Sequence, residues 1–174
     1  MFAIRRPYGK MFLAVTAGTS DFGTLSFLNI NDGGPSVIGA DLAYFFNRNI
    51  GAGLKINVGT CEIGNTESSY YSETILFAGP ALYLRLGKNR LSLTAGAGAG
   101  MLKWNWKLTD IDISTDNDYS SIGGFVSAGL NYMATRNVGI VLNIQSITGS
   151  LKDADGNERN PSGIGTTLGV NFRF

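Results

Sequence analysis

The 174-residue sequence predicts an all-β chain, an eight-stranded antiparallel up-and-down transmembrane β-barrel. Three observations lead there. Apolar residues recur at every second position through eight segments near the ~9–11 residues that a tilted strand needs to cross a bilayer. The links between these segments alternate between tight turns and long polar stretches. The last six residues, GVNFRF, set Phe174, Phe172, Val170 and Leu168 on one face of a strand. A barrel has no free edge, so its last strand must pair with its first.

Composition narrows the alternatives. With 24 Gly, 4 Pro and 16% charged residues at a net charge of +1, the chain fits one domain. No stretch reaches the ~18 consecutive apolar residues of a transmembrane helix, although 44% of residues are hydrophobic. Cys61 is the single cysteine, so no intramolecular disulfide can form and no CxxC pair suggests zinc. Arg5, Arg6 and Lys10 followed by MFLAVTAG imitate an export leader. Removing that segment would leave an odd number of strands. Residues 1–9 are therefore read as an N-terminal arm remaining after leader removal, and 10–174 as the barrel.

The strands follow in order. The first, roughly 10–18, puts Leu13, Val15 and Ala17 on one face, and the second, 36–46, has Ile38, Ala40, Leu42, Tyr44 and Phe46 opposite Gly39, Asp41 and Ala43. The third alternates Ile50, Ala52, Leu54, Ile56 and Val58 with Gly51, Gly53, Lys55, Asn57 and Gly59. In the fourth, Leu76, Ala78, Leu82, Leu84 and Leu86 oppose Phe77, Gly79, Ala81, Tyr83 and Arg85. The fifth sets Leu91, Leu93, Ala95, Ala97, Ala99 and Met101 against Ser92, Thr94, Gly96, Gly98 and Gly100. Ile122, Val126, Ala128, Leu130 and Tyr132 mark the sixth; Val138, Ile140, Leu142 and Ile144 mark the seventh. The eighth, 163–174, opposes Ile164, Leu168, Val170, Phe172 and Phe174 to Gly165, Thr167, Gly169, Asn171 and Arg173.

Tight turns at Asn47-Arg48-Asn49, Gly87-Lys88-Asn89-Arg90 and Thr135-Arg136-Asn137 carry residues suited to hairpins. The remaining links, about 19–35, 60–72, 107–120 and 151–162, are expected to be long polar loops. Of 13 acidic residues, all but Asp41 fall in or beside those links, while Arg48, Lys88, Arg90 and Arg136 mark the turn end. One end of the cylinder is acidic and the other basic.

A soluble barrel would need an outer face roughly 25–35% charged. Across the eight strands the less apolar face carries only Asp41, Lys55, Arg85 and Arg173 as charges, among Gly, Ser, Thr and Asn. Such a face fills a narrow lumen, where small residues leave room for Phe77, Tyr83 and Phe125. Tyr44, Phe46, Phe172 and Phe174 fit an aromatic girdle at the turn end, with Trp104, Trp106, Tyr70, Tyr71 and Tyr119 toward the loop end.

Over residues 10–174, through the strand count, GPALYLRLG, GAGAG and the terminal GVNFRF, the chain resembles small eight-stranded outer-membrane barrels of the OmpA/OmpX type. The resemblance implies the bacterial outer membrane and a terminal aromatic strand, Phe172 and Phe174, read by the barrel-assembly machinery. The expected partners are outer-membrane lipids, that machinery and other outer-membrane proteins, without nucleic acid. In function the family spans anchors, adhesins and accessory subunits.

Chemistry is sparse. Histidine is absent, so Ser68 or Ser69 has no evident activating base, and no catalytic site or cofactor is expected. In TDIDISTDND, Asp110, Asp112, Asp116 and Asp118 alternate in a way that could bind a divalent cation through oxygen. Asp153, Asp155, Gly156, Asn157 and Glu158 imitate a calcium loop without its twelfth-position Glu. Solvated loops are the favoured reading of both, and no metal site is expected. Asp41, Lys55, Arg85 and Arg173 form the expected lumen polar cluster, paired with one another, with Asn57, Asn131, Asn143 and Gln145, or with water. Two functions follow: a non-enzymatic structural, accessory or surface-interaction barrel acting through acidic loops, or a narrow channel for ions or small solutes.

Overall fold

The computed structural model describes residues 11–20, 36–66, 69–88, 90–110, 113–152, 158–159 and 162–174. Its strands are β1 (Met11–Ser20), β2 (Ser36–Phe45), β3 (Ile50–Thr66), β4 (Ser69–Lys88), β5 (Leu91–Asp110), β6 (Ile113–Met133), β7 (Val138–Gly149), β8 (Leu151–Lys152), β9 (Glu158–Arg159) and β10 (Gly163–Arg173). Eight of them close an antiparallel barrel in the order β1-β10-β7-β6-β5-β4-β3-β2. Among the described residues the two-residue strands β8 and β9 pair with each other, within the link expected as a loop. The arm at 1–9 lies outside the described residues.

Register fixes the shape. Following paired residues on the outer face, Met11 leads to Tyr44, Ala52, Leu82, Ala97, Val126, Ser146 and Ile164. Gly165 pairs Ser20, so the circuit returns to β1 just beyond Ser20. That stagger of about ten residues over eight strands inclines the strands by roughly 40° at the usual rise and spacing.

The outward apolar belt is sharply bounded. Large hydrophobic side chains such as Ile122 (82% exposed), Leu82 and Leu168 face outward and would be costly in water. Above them runs a polar outer row in mutual register, Thr166, Thr19, Ser36, Thr60 and Thr74, with the hydroxyls of Ser36 and Thr60 3.0 Å apart. At the turn end Tyr44 packs on Phe46 and Phe172 stacks on Phe174, both pairs outward at the end of the barrel where a girdle belongs.

The structure corrects two expected loops. Residues 60–66 and 69–72 continue β3 and β4, and 107–110 and 113–120 continue β5 and β6. Beyond the belt the outward face meets water while the inward face mixes polar and aromatic residues, so the apolar period that marks a strand in sequence fades while the ladder persists, as from Met101↔Ile122 to Asp110↔Ile113. At this tilt β5 stands on the order of 20 Å above the belt. Links 21–35, 153–157 and 160–161 lie outside the described residues.

Two tight turns are built alike. Asn47 Oδ1 accepts hydrogen bonds from the backbone N–H groups of Asn49 and Ile50, each at 2.8 Å. Thr135 Oγ1 accepts from those of Asn137 and Val138, at 3.3 and 3.0 Å. The third relies on Gly87, whose φ of 130° few side chains tolerate.

Candidate functional site

The middle of the lumen is a packed polar and aromatic plug. Asp41 and Lys55 are register partners on β2 and β3, so period two aims both inward. Lys55 Nζ donates to both carboxylate oxygens of Asp41, at 3.0 and 3.1 Å, and Tyr83 Oη donates to Asp41 Oδ1 at 2.7 Å. Lys55 is only 1% exposed, with its ammonium 5.2 Å from the Phe125 ring centroid. An ion pair this buried persists because its remaining lone pairs and protons also find partners.

Two further features close the plug. Phe77 and Phe125 meet edge to face at 5.3 Å, and the glycines opposite them clear the space they fill. A β-carbon on Gly98, for example, would run into the Pro80 carbonyl and the Phe125 ring. Amides complete the cross-links: Asn171 Nδ2 donates to Asn131 Oδ1 at 3.0 Å, Asn131 Nδ2 to Thr94 Oγ1 at 2.9 Å and Gln145 Nε2 to Asn57 Oδ1 at 3.3 Å. A cavity of about 20 Å³ bordered by Asp41, Tyr83, Asn131 and Asn143 has room for one water.

The four charges expected to cluster divide into two groups. Asp41 and Lys55 form the plug, whereas Arg85 and Arg173 lie nearer the turns. Arg85 is 7% exposed and stacks its guanidinium over Phe45, 3.6 Å from the ring centroid, with Phe12 at 5.5 Å. Arg173 donates from Nη2 to Ser92 Oγ at 2.9 Å. Sequence reasoning placed Ser92 on the inner face without a role and missed Phe12 and Phe45, although period two through Phe45 and Phe46 separates an inward ring from an outward one.

Above the belt the projecting hairpins keep a structured inner face. Trp104, expected near the rim, turns inward at 4% exposure, and its Nε1 donates to Glu73 Oε1 at 2.6 Å. Trp104 also packs on Tyr119, and Tyr71 stacks on Trp106 at 6.3 Å. Asp116 and Asp118 face outward, with Asp116 Oδ1 accepting from Asn105 Nδ2 at 3.1 Å. Asp112, Asp153, Asp155 and the side chains of Tyr70, Asp110, Glu158, Ser68 and Ser69 lie outside the described residues. Among the described residues no cluster of acidic side chains or cysteine is arranged to hold a metal ion.

Cys61 sits on the same inner wall, across from its register partner Glu73. Burial, then the carboxylates of Glu73 and Glu62, push its thiol above the usual range. The thiolate is the reactive form, so maleimide should modify folded Cys61 slowly at neutral pH and faster as pH rises. Unfolding should abolish the difference. The check is mass-spectrometric labelling of folded and heat-unfolded chain, and equal rates would contradict the buried placement.

A cylinder with an apolar outside, a filled polar inside and turns gathered at one end describes a class of protein. Residues 6–174 match the family described as outer membrane protein beta-barrel domain. The chain belongs to that outer-membrane β-barrel family. It is accordingly a protein of the bacterial outer membrane, with the tight turns on the periplasmic side. Among solved structures it is similar to the attachment invasion locus protein Ail of Yersinia pestis, at 17% identity and a TM-score of 0.59, over 94% of this chain and 96% of that one. Neisserial surface protein A is similar at 14% identity and a TM-score of 0.60, over 95% and 97% of the two chains. The N-terminal barrel of Pseudomonas aeruginosa OprF gives 15% identity and 0.53, over 95% and 98%. These likenesses carry the small-barrel fold. No curated protein matches the chain significantly by sequence.

Proposed function

We propose that this outer-membrane barrel is a non-enzymatic structural or accessory subunit, or surface-interaction protein, that works through its projecting hairpins β3–β4 and β5–β6 and not through its lumen. One contrast carries the reading. The lumen is filled, with Phe77 and Leu102 fully buried and Lys55, Asn57 and Gln145 nearly so, while β3 to β6 extend well past the belt. A protein needing only an anchor or a pore has no use for twenty-residue strands where a tilted crossing takes ~9–11. The hairpins offer paired backbone, stacked aromatics on the inner side, and Lys103, Lys107, Asp116 and Asp118 outside. The absence of histidine from the sequence supports a non-enzymatic role, since a serine nucleophile lacks its usual base.

Trimming tests it. Replacing 62–72 and 105–118 by tight turns leaves the belt and plug intact, so the trimmed barrel should fold with the gel mobility of a closed barrel. The particle extracted from native membrane in mild detergent should carry a stoichiometric companion with the full chain and lose it with the trimmed one. A full-length particle that is the lone 18.5 kDa chain and conducts ions contradicts the proposal.

A further inference from the structure

The two arginines near the turns occupy equivalent places in two halves of the barrel. β4 and β10 lie diametrically opposite in the closed order. Asn47-Arg48-Asn49-Ile50-Gly51 and Thr135-Arg136-Asn137-Val138-Gly139 stand at one constant sequence offset, and the same offset carries Arg85 onto Arg173. The backbone repeats the equivalence. Arg85 N–H donates to Asn49 O at 2.6 Å and Asn49 Nδ2 returns a bond to Arg85 O at 2.7 Å; Arg173 N–H donates to Asn137 O at 2.8 Å and Asn137 Nδ2 to Arg173 O at 2.9 Å. Each arginine is thus clamped at both backbone groups, with its side chain aimed into the lumen from opposite walls.

Among the described residues neither arginine has an ion pair with an Asp or Glu side chain. Every Asp and Glu except Asp41 falls in or beside the links at the far end, and the arm at 1–9 contains none. Asp41 gives both oxygens to Lys55 and one also to Tyr83. Arg85 and Arg173 enter the lumen at equivalent levels on opposite walls, each bonded to the asparagine of its own turn, and an eight-stranded interior is only just wide enough for side chains, so the two guanidinium groups converge. Arg85 Nε and Nη2 and Arg173 Nε are buried and find no acceptor among the described residues. Buried guanidinium donors without acceptors, carrying like charges toward each other, are costly unless a counter-charge sits between them.

We infer that Arg85 and Arg173 form an anion site on the periplasmic side of the plug, taking a small inorganic anion of about chloride size. The guanidinium N–H groups supply charge-assisted donors from both walls. Phe12 and Phe45 hold Arg85 from one side and Ser92 holds Arg173, so the donors are positioned before the ion arrives. Small size follows from the surroundings, since an eight-stranded lumen is only just wide enough for side chains and Phe12, Phe45 and Ser92 share this level of it.

The experiment is chloride NMR linewidth on the full chain folded in zwitterionic detergent, with Arg85→Met, Arg173→Met and, as a surface control, Arg136→Gln. The wild type and Arg136→Gln should broaden the chloride line, and each lumen variant should lose most of that broadening. Equal broadening by the wild type and the folded lumen variants overturns the site. Should either lumen variant fail to fold, the wild type decides alone. Its urea midpoint should be higher in chloride than in gluconate at matched ionic strength, because an ion that binds only the folded state stabilises it; equal midpoints overturn the inference.

Discussion

Lys55→Met is expected to lower the unfolding free energy by about 3–5 kcal/mol, the usual consequence of removing one partner from a buried ion pair. Lys55 is 1% exposed and supplies two of the bonds to Asp41, so its loss leaves a carboxylate in the barrel interior that keeps the hydrogen bond from Tyr83. The same reasoning predicts that Asp41→Asn combined with Lys55→Met recovers much of the loss, since the double variant buries no net charge. Urea unfolding in detergent micelles of the wild type, both single variants and the double variant gives the coupling directly. Additive effects would mean that the two groups do not stabilise one another.

Phe77→Ala is expected to cost a similar amount, about 3–5 kcal/mol, by a different mechanism. Phe77 has no exposed surface and its ring is braced edge to face against Phe125, which in turn lies against the Lys55 ammonium. The surrounding wall is a closed hydrogen-bonded cylinder that cannot collapse inward, so the vacated space should persist as a cavity. Phe77→Leu, which keeps most of the volume, should cost less than about 1.5 kcal/mol. If the two substitutions unfold at the same urea concentration, Phe77 does not fill the lumen as described.

How far the sequence discloses this molecule depends on which solvent touches each face. Where one face meets lipid and the other the lumen, the period of two is strong, and Ile50 to Val58 or Leu91 to Met101 can be placed without coordinates. Past Val58 and Met101 the outward positions become Thr60, Glu62, Lys103 and Asn105, which read as loop although the ladder continues. The inward positions there, Cys61, Glu73 and Trp104, retain a faint period that pairing could have exposed. Lys55 and Asp41 were legible as lumen charges, because they interrupt runs of small residues. Their pairing was not, since it depends on a register that one residue of slip would destroy. The split of Arg85 and Arg173 from that pair was equally hidden, although the repeated Arg-Asn turns were in plain view.

A filled lumen is what turns attention from the barrel interior to the hairpins, and whether the lumen is filled can be measured. The measurement is the conductance of the purified wild-type chain in a planar bilayer. No steps above the bare-membrane baseline are expected, because Lys55, Phe77, Leu102 and Gln145 occupy the cross-section. Regular conductance steps from the folded barrel, with ion selectivity altered by charge reversal at Lys55, would contradict it and make the protein a channel.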